Sequence, residues 1–210
     1  MVGKVEDKQY VSVGEAGGIM GKNFFGINHA REFFDFDSTS SKYQGLEFSR
    51  IPYSRDVLDS HKNSHFLIFL SPISINNMKT MYSSLFRHTE NFHRASFAKK
   101  EGELGWYLIE KKPKENLFSK KFDEQLLSIP PNEEIVTSQV LIYFLIANFL
   151  LNDECILFDS SARCPDLYVL DFRTCIGKFD VNAGGISVSS FWDTAGLSTL
   201  SIMTCLKGNI

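Results

Sequence analysis

Five aspartates, Asp159, Asp166, Asp171, Asp180 and Asp193, stand near the ends of short apolar runs in the last third of the chain. Carboxylates meeting at one sheet edge could hold Mg²⁺ or Mn²⁺ and activate a water for phosphoester or amide hydrolysis. Aspartate is equally an ordinary turn residue. Only Asp171 falls clearly inside a predicted strand, where alternation places it on the face of Leu167 and Val169, with Arg173 as an i, i+2 ion-pair partner if the strand continues. Glu110 and Lys112, closing the run GWYLIEKK, match the Glu-x-Lys part of a nuclease metal site. There the acid binds metal and the lysine stabilises charge developing on phosphate. The site also needs a preceding strand acid, and only Glu101 and Glu103 stand nearby. Asp171, Asp180, Asp193, Glu110 and Lys112 are thus the candidate catalytic residues of a metal-dependent hydrolase or nuclease.

A second chemistry lies mid-chain. From Arg87 to Lys121 there are nine basic residues against five acidic ones, whereas Phe122 to Ile210 carries eleven acids and four bases. Arg94, Lys99, Lys100, Lys111 and Lys112, interleaved with Phe92, Phe97, Trp106, Tyr107 and Phe118, have the composition of a nucleic-acid surface: cations for phosphates, rings for stacking. Acids within the segment dilute that signal, and lysines flanking a buried strand commonly serve as solvated gatekeepers.

Other motifs are fragmentary. Gly14 to Lys22, GEAGGIMGK, reads as a glycine-rich loop approaching a phosphate loop, but Asn23 stands where a Mg²⁺-binding hydroxyl belongs. His61 and His65 have helical zinc-site spacing without the catalytic Glu, and His65 is expected in the following strand, which removes the shared face. His88 and His93, five apart, are out of phase. Cys155, Cys164, Cys175 and Cys205 are spaced by 9, 11 and 30 residues and read as small, reduced, buried side chains. No GxSxG or GxGxxG is present. No cofactor and no resident metal are expected.

The elements that must position these groups are clearer. A 210-residue chain that is 43% hydrophobic and 22% charged can bury a sizeable core. Its net charge of -3 argues against a protein devoted to neutralising phosphates. Ile135 to Leu151, IVTSQVLIYFLIANFLL, predicts a helix capped by Asn132 with Glu133 and Glu134 at its positive end. Gln139 and Asn148 point to opposite sides, so the helix has no solvent face and must be buried or sit in an interface. Its apolar stretch falls short of the roughly 18–20 residues of a membrane span. Strands are expected at Tyr10 to Val13, His65 to Leu70 and Gly105 to Glu110, and helices at Phe24 to Phe36, from Ser54 to about His61, and from Ser74 to about Phe86. After the long helix, Cys155 to Phe158, Leu167 to Phe172, Cys175 to Val181, Ile186 to Trp192 and Leu197 to Met203 read as an antiparallel meander.

The expected fold is α+β: a mixed N-terminal part, a long buried apolar helix, then a C-terminal antiparallel meander packed on it. One domain over residues 1–210 is expected, with subdivision near 130 into a mixed part and a helix-plus-meander part as the alternative. MVGKVEDKQY lacks an apolar signal core and Val2 stands where myristoylation needs Gly, so no export signal and a cytoplasmic location are expected. With 19 phenylalanines, an all-apolar helix and no coherent catalytic set, the leading function is a non-catalytic binding or assembly module that self-associates or takes a protein partner. The hydrolase and the nucleic-acid accessory protein are its rivals.

Overall fold

The computed structural model describes residues 10–43, 48–87 and 91–206. In chain order its elements are β1 (Val11–Ser12), α1 (Val13–Met20), β2 (Phe24–Phe25), α2 (Ile27–Phe34), β3 (Arg50–Ile51), α3 (Arg55–His61), β4 (His65–Leu70), α4 (Ile75–Met81) and α5 (Ser96–Lys99). There follow β5 (Gly105–Glu110), α6 (Phe122–Leu126), β6 (Glu133–Ile135), α7 (Ser138–Asn152), β7 (Ser161–Val169), β8 (Phe172–Asp180), β9 (Gly185–Trp192), β10 (Leu200–Ser201) and β11 (Thr204–Leu206). This is an α+β fold with a mixed five-stranded sheet, β2-β4-β5-β11-β6, and a four-stranded sheet, β10-β7-β8-β9.

Local chemistry explains the secure elements. Ser54 and Ser74 each accept the third-residue amide of the helix they open, at 3.3 and 3.2 Å, as their positions in the sequence predict. In β4, Phe66 to Leu70 are fully buried on both faces, which suits an uninterrupted apolar run in the middle of a sheet. One continuous cluster of buried side chains takes in Phe66 and Ile68 of β4, most of α7, and Ile176, Phe179, Ile186 and Val188 of the other sheet.

Helix α7 is the packing centre, but it starts three residues later than expected. Thr137 caps it, accepting the Val140 amide, while Glu133–Ile135 is drawn out as β6 to pair with β11. Asn132 and the two glutamates therefore lie outside the helix. The carboxylate that faces its first turn is Asp166 of β7, which accepts from the Ser138 amide at 2.6 Å and its hydroxyl at 2.8 Å. Every residue from Ser138 to Asn148 is buried within the chain itself, and only the last turn, Phe149 to Asn152, is half-buried. Each of the two polar side chains donates one hydrogen bond, Gln139 Nε2 to Ile73 O and Asn148 Nδ2 to Glu154 O, both at 2.9 Å, and Gln139 Oε1 accepts none among the described residues. With 15 residues α7 is too short to cross a membrane, and no helix among the described residues is long and apolar enough to do so.

Other expectations fail for identifiable reasons. Gly14 to Lys22 is mostly helix, because Ser12 caps α1 by accepting the Glu15 amide and Ala16 and Met20 are buried on one side. The segment expected as one helix from Phe24 to Phe36 opens as β2, paired parallel with β4, before α2 begins. The helix after Ser74 ends at Met81 and a separate 3-10 turn covers Ser83–Leu85. Cys155 to Phe158 is a turn with Leu157 at a positive φ of 61°, its side chain buried. The apolar stretch Leu167 to Phe172 is not one strand but the tip of the β7–β8 hairpin, with Val169 opposite Phe172 and Leu170-Asp171 as the loop. Finally, Leu197 to Met203 does not extend the meander: β10 pairs parallel with β7, and the chain then crosses to the other sheet as β11.

Candidate functional site

The aspartates disperse. Asp166 faces the start of α7, Asp180 accepts the Asn182 amide at 2.9 Å in the β8–β9 connection, and Asp193 pairs with Arg173 at 3.2 Å. Asp171 is an exposed loop residue rather than a strand residue, and Arg173 is committed to Asp193 and to the Pro165 carbonyl, so the expected Asp171–Arg173 pair does not form. Asp159 lies in the bend before β7. Among the described residues no three His, Cys, Asp or Glu side chains converge as a metal-holding group.

Glu110 is held, but not with Lys112, which is exposed. Lys114 bridges Glu110 at 2.9 Å and Glu133 at 2.8 Å, and the Thr204 hydroxyl donates to Glu133 at 2.6 Å, joining β5, β6 and β11. In this half-buried network one ammonium serves two carboxylates and ties three strands together. The basic segment is likewise taken apart by packing. Arg94, Lys99 and Lys100 are exposed around α5, whereas Lys111 Nζ donates to Asn23 Oδ1 at 3.1 Å. Trp106, the expected stacking ring, lies against Phe24 and Phe69 with its indole N–H on the Phe48 carbonyl, and Phe92 and Phe97 are buried. Phe92 and Phe97 thus belong to the core, Trp106, Tyr107 and Phe118 are half-buried, and Arg94, Lys99, Lys100 and Lys112 lie at the surface.

The phosphate-loop reading ends with α1, and Lys22 pairs with Glu154 at 3.0 Å. All four cysteines are free, with Cys164, Cys175 and Cys205 buried and Cys155 half-buried; burial pushes the Cys175 thiol up to about 12. His88 lies outside the described residues. His61 and His65 do share a site, contrary to expectation: the end of α3 and the start of β4 bring their rings to 4.6 Å, edge to face.

Burial pushes the His65 imidazole down to about 4 from an ordinary 6.5; His61 acts the same way and Glu133 opposes it. Between these values the unfolded chain binds more protons than the folded one. Stability from this residue is therefore complete above pH 6.5 and lost as pH falls towards about 4. Urea unfolding at several pH values is expected to show this decline, and His65→Gln to flatten it; an equally steep decline in the variant would contradict the assignment.

The feature that sequence reasoning missed is the hairpin end of the smaller sheet. Val169, Phe172 and Trp192 stand side by side across β7, β8 and β9, with the Phe172 and Trp192 rings at 3.8 Å. Leu167, Val169, Leu170 and Trp192 are all exposed, Leu170 to 79%. The adjoining α6, whose first amide bonds to the Asp193 carbonyl, ends in the exposed Leu126 and Leu127. Leu170 also holds a φ of 46° in a two-residue loop, where glycine, asparagine or aspartate is the ordinary choice. A signal was present in LYVLDF, an apolar run without a glycine, but an unbroken strand fits it equally well. Comparison of the chain with protein-family models, with curated proteins and with solved structures found no match.

Proposed function

We propose that this chain is a non-catalytic assembly module that self-associates through the hairpin end of the β7–β8–β9 sheet. The single observation that carries this reading is Leu170. A left-handed backbone costs a leucine about 1–2 kcal/mol. At Leu157, the other leucine with positive φ among the described residues, burial of the side chain offsets that cost. At Leu170 nothing inside the chain does, because the side chain projects into solvent. An exposed, strained leucine at a hairpin end where Val169 and Trp192 are also exposed is what a contact surface explains and folding does not. A self-complementary apolar patch of this kind suits a twofold dimer, in which each copy covers the other's patch.

The continuous buried cluster through both sheets supports treating residues 1–210 as one unit. Four free cysteines suit a reducing compartment, in keeping with a cytoplasmic location. Sedimentation velocity over a range of concentrations is expected to show a reversible dimer that Trp192→Ser converts to monomer. A wild-type chain that stays monomeric throughout would refute the reading.

A further inference from the structure

We infer that His61 and His65 form a two-imidazole site for a divalent transition-metal ion, with water in its remaining coordination positions. The end of α3 and the start of β4 hold the two rings edge to face, their centres 4.6 Å apart. Two imidazoles on one ion, each with a metal–nitrogen bond of about 2.0 Å, adopt that spacing when the nitrogens subtend about 90° at the metal. This is the cis angle of square-planar or octahedral coordination, which Ni²⁺ and Cu²⁺ favour with nitrogen ligands.

Hydrogen bonding decides which ring nitrogens are left for a metal. The Val57 carbonyl can only accept, so His61 Nδ1, 2.7 Å away, carries the proton. The Ser64 hydroxyl donates to the His61 carbonyl at 3.4 Å and thus accepts from His65 Nδ1 at 2.9 Å. Both lone pairs therefore sit on Nε2. Neither Nε2 has a partner among the described residues, and neither is sealed from water. An Nδ1–H held by a carbonyl or hydroxyl is the usual support of a metal-bound histidine. Burial keeps His65 neutral near pH 7, as a ligand must be. Of the charges it feels, Glu133 favours a cation while Lys111 and Lys114 oppose one, Lys114 being offset by its bonds to Glu110 and Glu133. Among the described residues no third His, Cys, Asp or Glu completes a metal-holding group, which leaves the other positions to water.

The site is independent of self-association. Calorimetric titration of the full chain with Ni²⁺ in a weakly coordinating buffer is expected to show saturable binding, with none for Mg²⁺, which prefers oxygen ligands. His61→Gln and His65→Gln are each expected to weaken binding about tenfold or more, whereas the exposed His93 can be changed to Gln without effect. Ni²⁺ should also raise the urea midpoint of the wild type and not that of either variant. His61, half-buried at a helix end, keeps the test readable if His65→Gln does not fold. Absence of saturable Ni²⁺ binding, unchanged affinity in a folded variant of either histidine, or an equal loss in His93→Gln overturns the proposal.

Discussion

Replacing Arg163 by alanine is expected to lower the unfolding free energy by about 4 kcal/mol. Arg163 is completely buried in β7, yet it forms no salt bridge with any described carboxylate. Its guanidinium donates instead to Gln125 Oε1 at 3.1 Å, to the Trp192 carbonyl at 3.3 Å and to the Ala195 carbonyl at 2.7 Å, above the Phe122 ring. Burial lowers its pKa from the usual arginine value, Asp193 opposing that shift. One planar, five-donor group thereby ties α6 and the chain after β9 to the centre of the sheet. Removal would leave Gln125 Oε1 and the Ala195 carbonyl without these donors and the Trp192 carbonyl with only the Ala195 amide, as well as a cavity, and lysine, a single point charge, cannot reach all three. Urea unfolding followed by circular dichroism measures the loss; a change within about 0.5 kcal/mol, as for an ordinary surface substitution, would contradict this role. Because the same bonds fix Trp192, the variant should also lose self-association.

The second large effect is expected at α7. Phe144 is fully buried, with its ring 5.4 Å from that of Phe66 in β4, so it fills the space between the helix and the larger sheet. Phe144→Ala is expected to cost about 3–5 kcal/mol, the transfer of the ring plus the cavity left behind. Leu127→Ala is the contrast: with the side chain 89% exposed, the expected change is within about 0.5 kcal/mol. Urea unfolding of both variants separates a helix buried in its own chain from one awaiting a partner. Comparable small losses at the two positions would show that α7 is not the packing centre.

These two residues also mark how far the sequence could be read. Phe144 lies in a run so apolar that burial follows from composition, and α3, α4, β4 and β5 follow from their serine caps or strand-length apolar stretches. Arg163 carries no such signal: nothing in SARCPD distinguishes a surface arginine from one whose partners are carbonyls some thirty residues later. The same non-locality moved Glu133–Ile135 from helix to strand, since β11, far along the chain, supplied the pairing. The candidate catalytic aspartates are scattered for the opposite reason. They stand near strand ends in the sequence, and in the fold Asp180 takes a local role, Asp193 a cross-strand one and Asp171 an exposed loop position. Leu170 was the hardest case, since a leucine in a tight hairpin loop defies turn preference and is invisible to any pattern built on it.

That leucine bears the central claim, and Leu170→Gly tests it most directly when stability and mass are measured on the same preparation. Glycine adopts a positive φ without strain, so the variant monomer is expected to be about 1 kcal/mol more stable than wild type in urea. With the side chain gone, sedimentation should show a monomer at concentrations where the wild type dimerises. A variant that is less stable, or that dimerises as before, would contradict the assignment of Leu170 to an assembly surface.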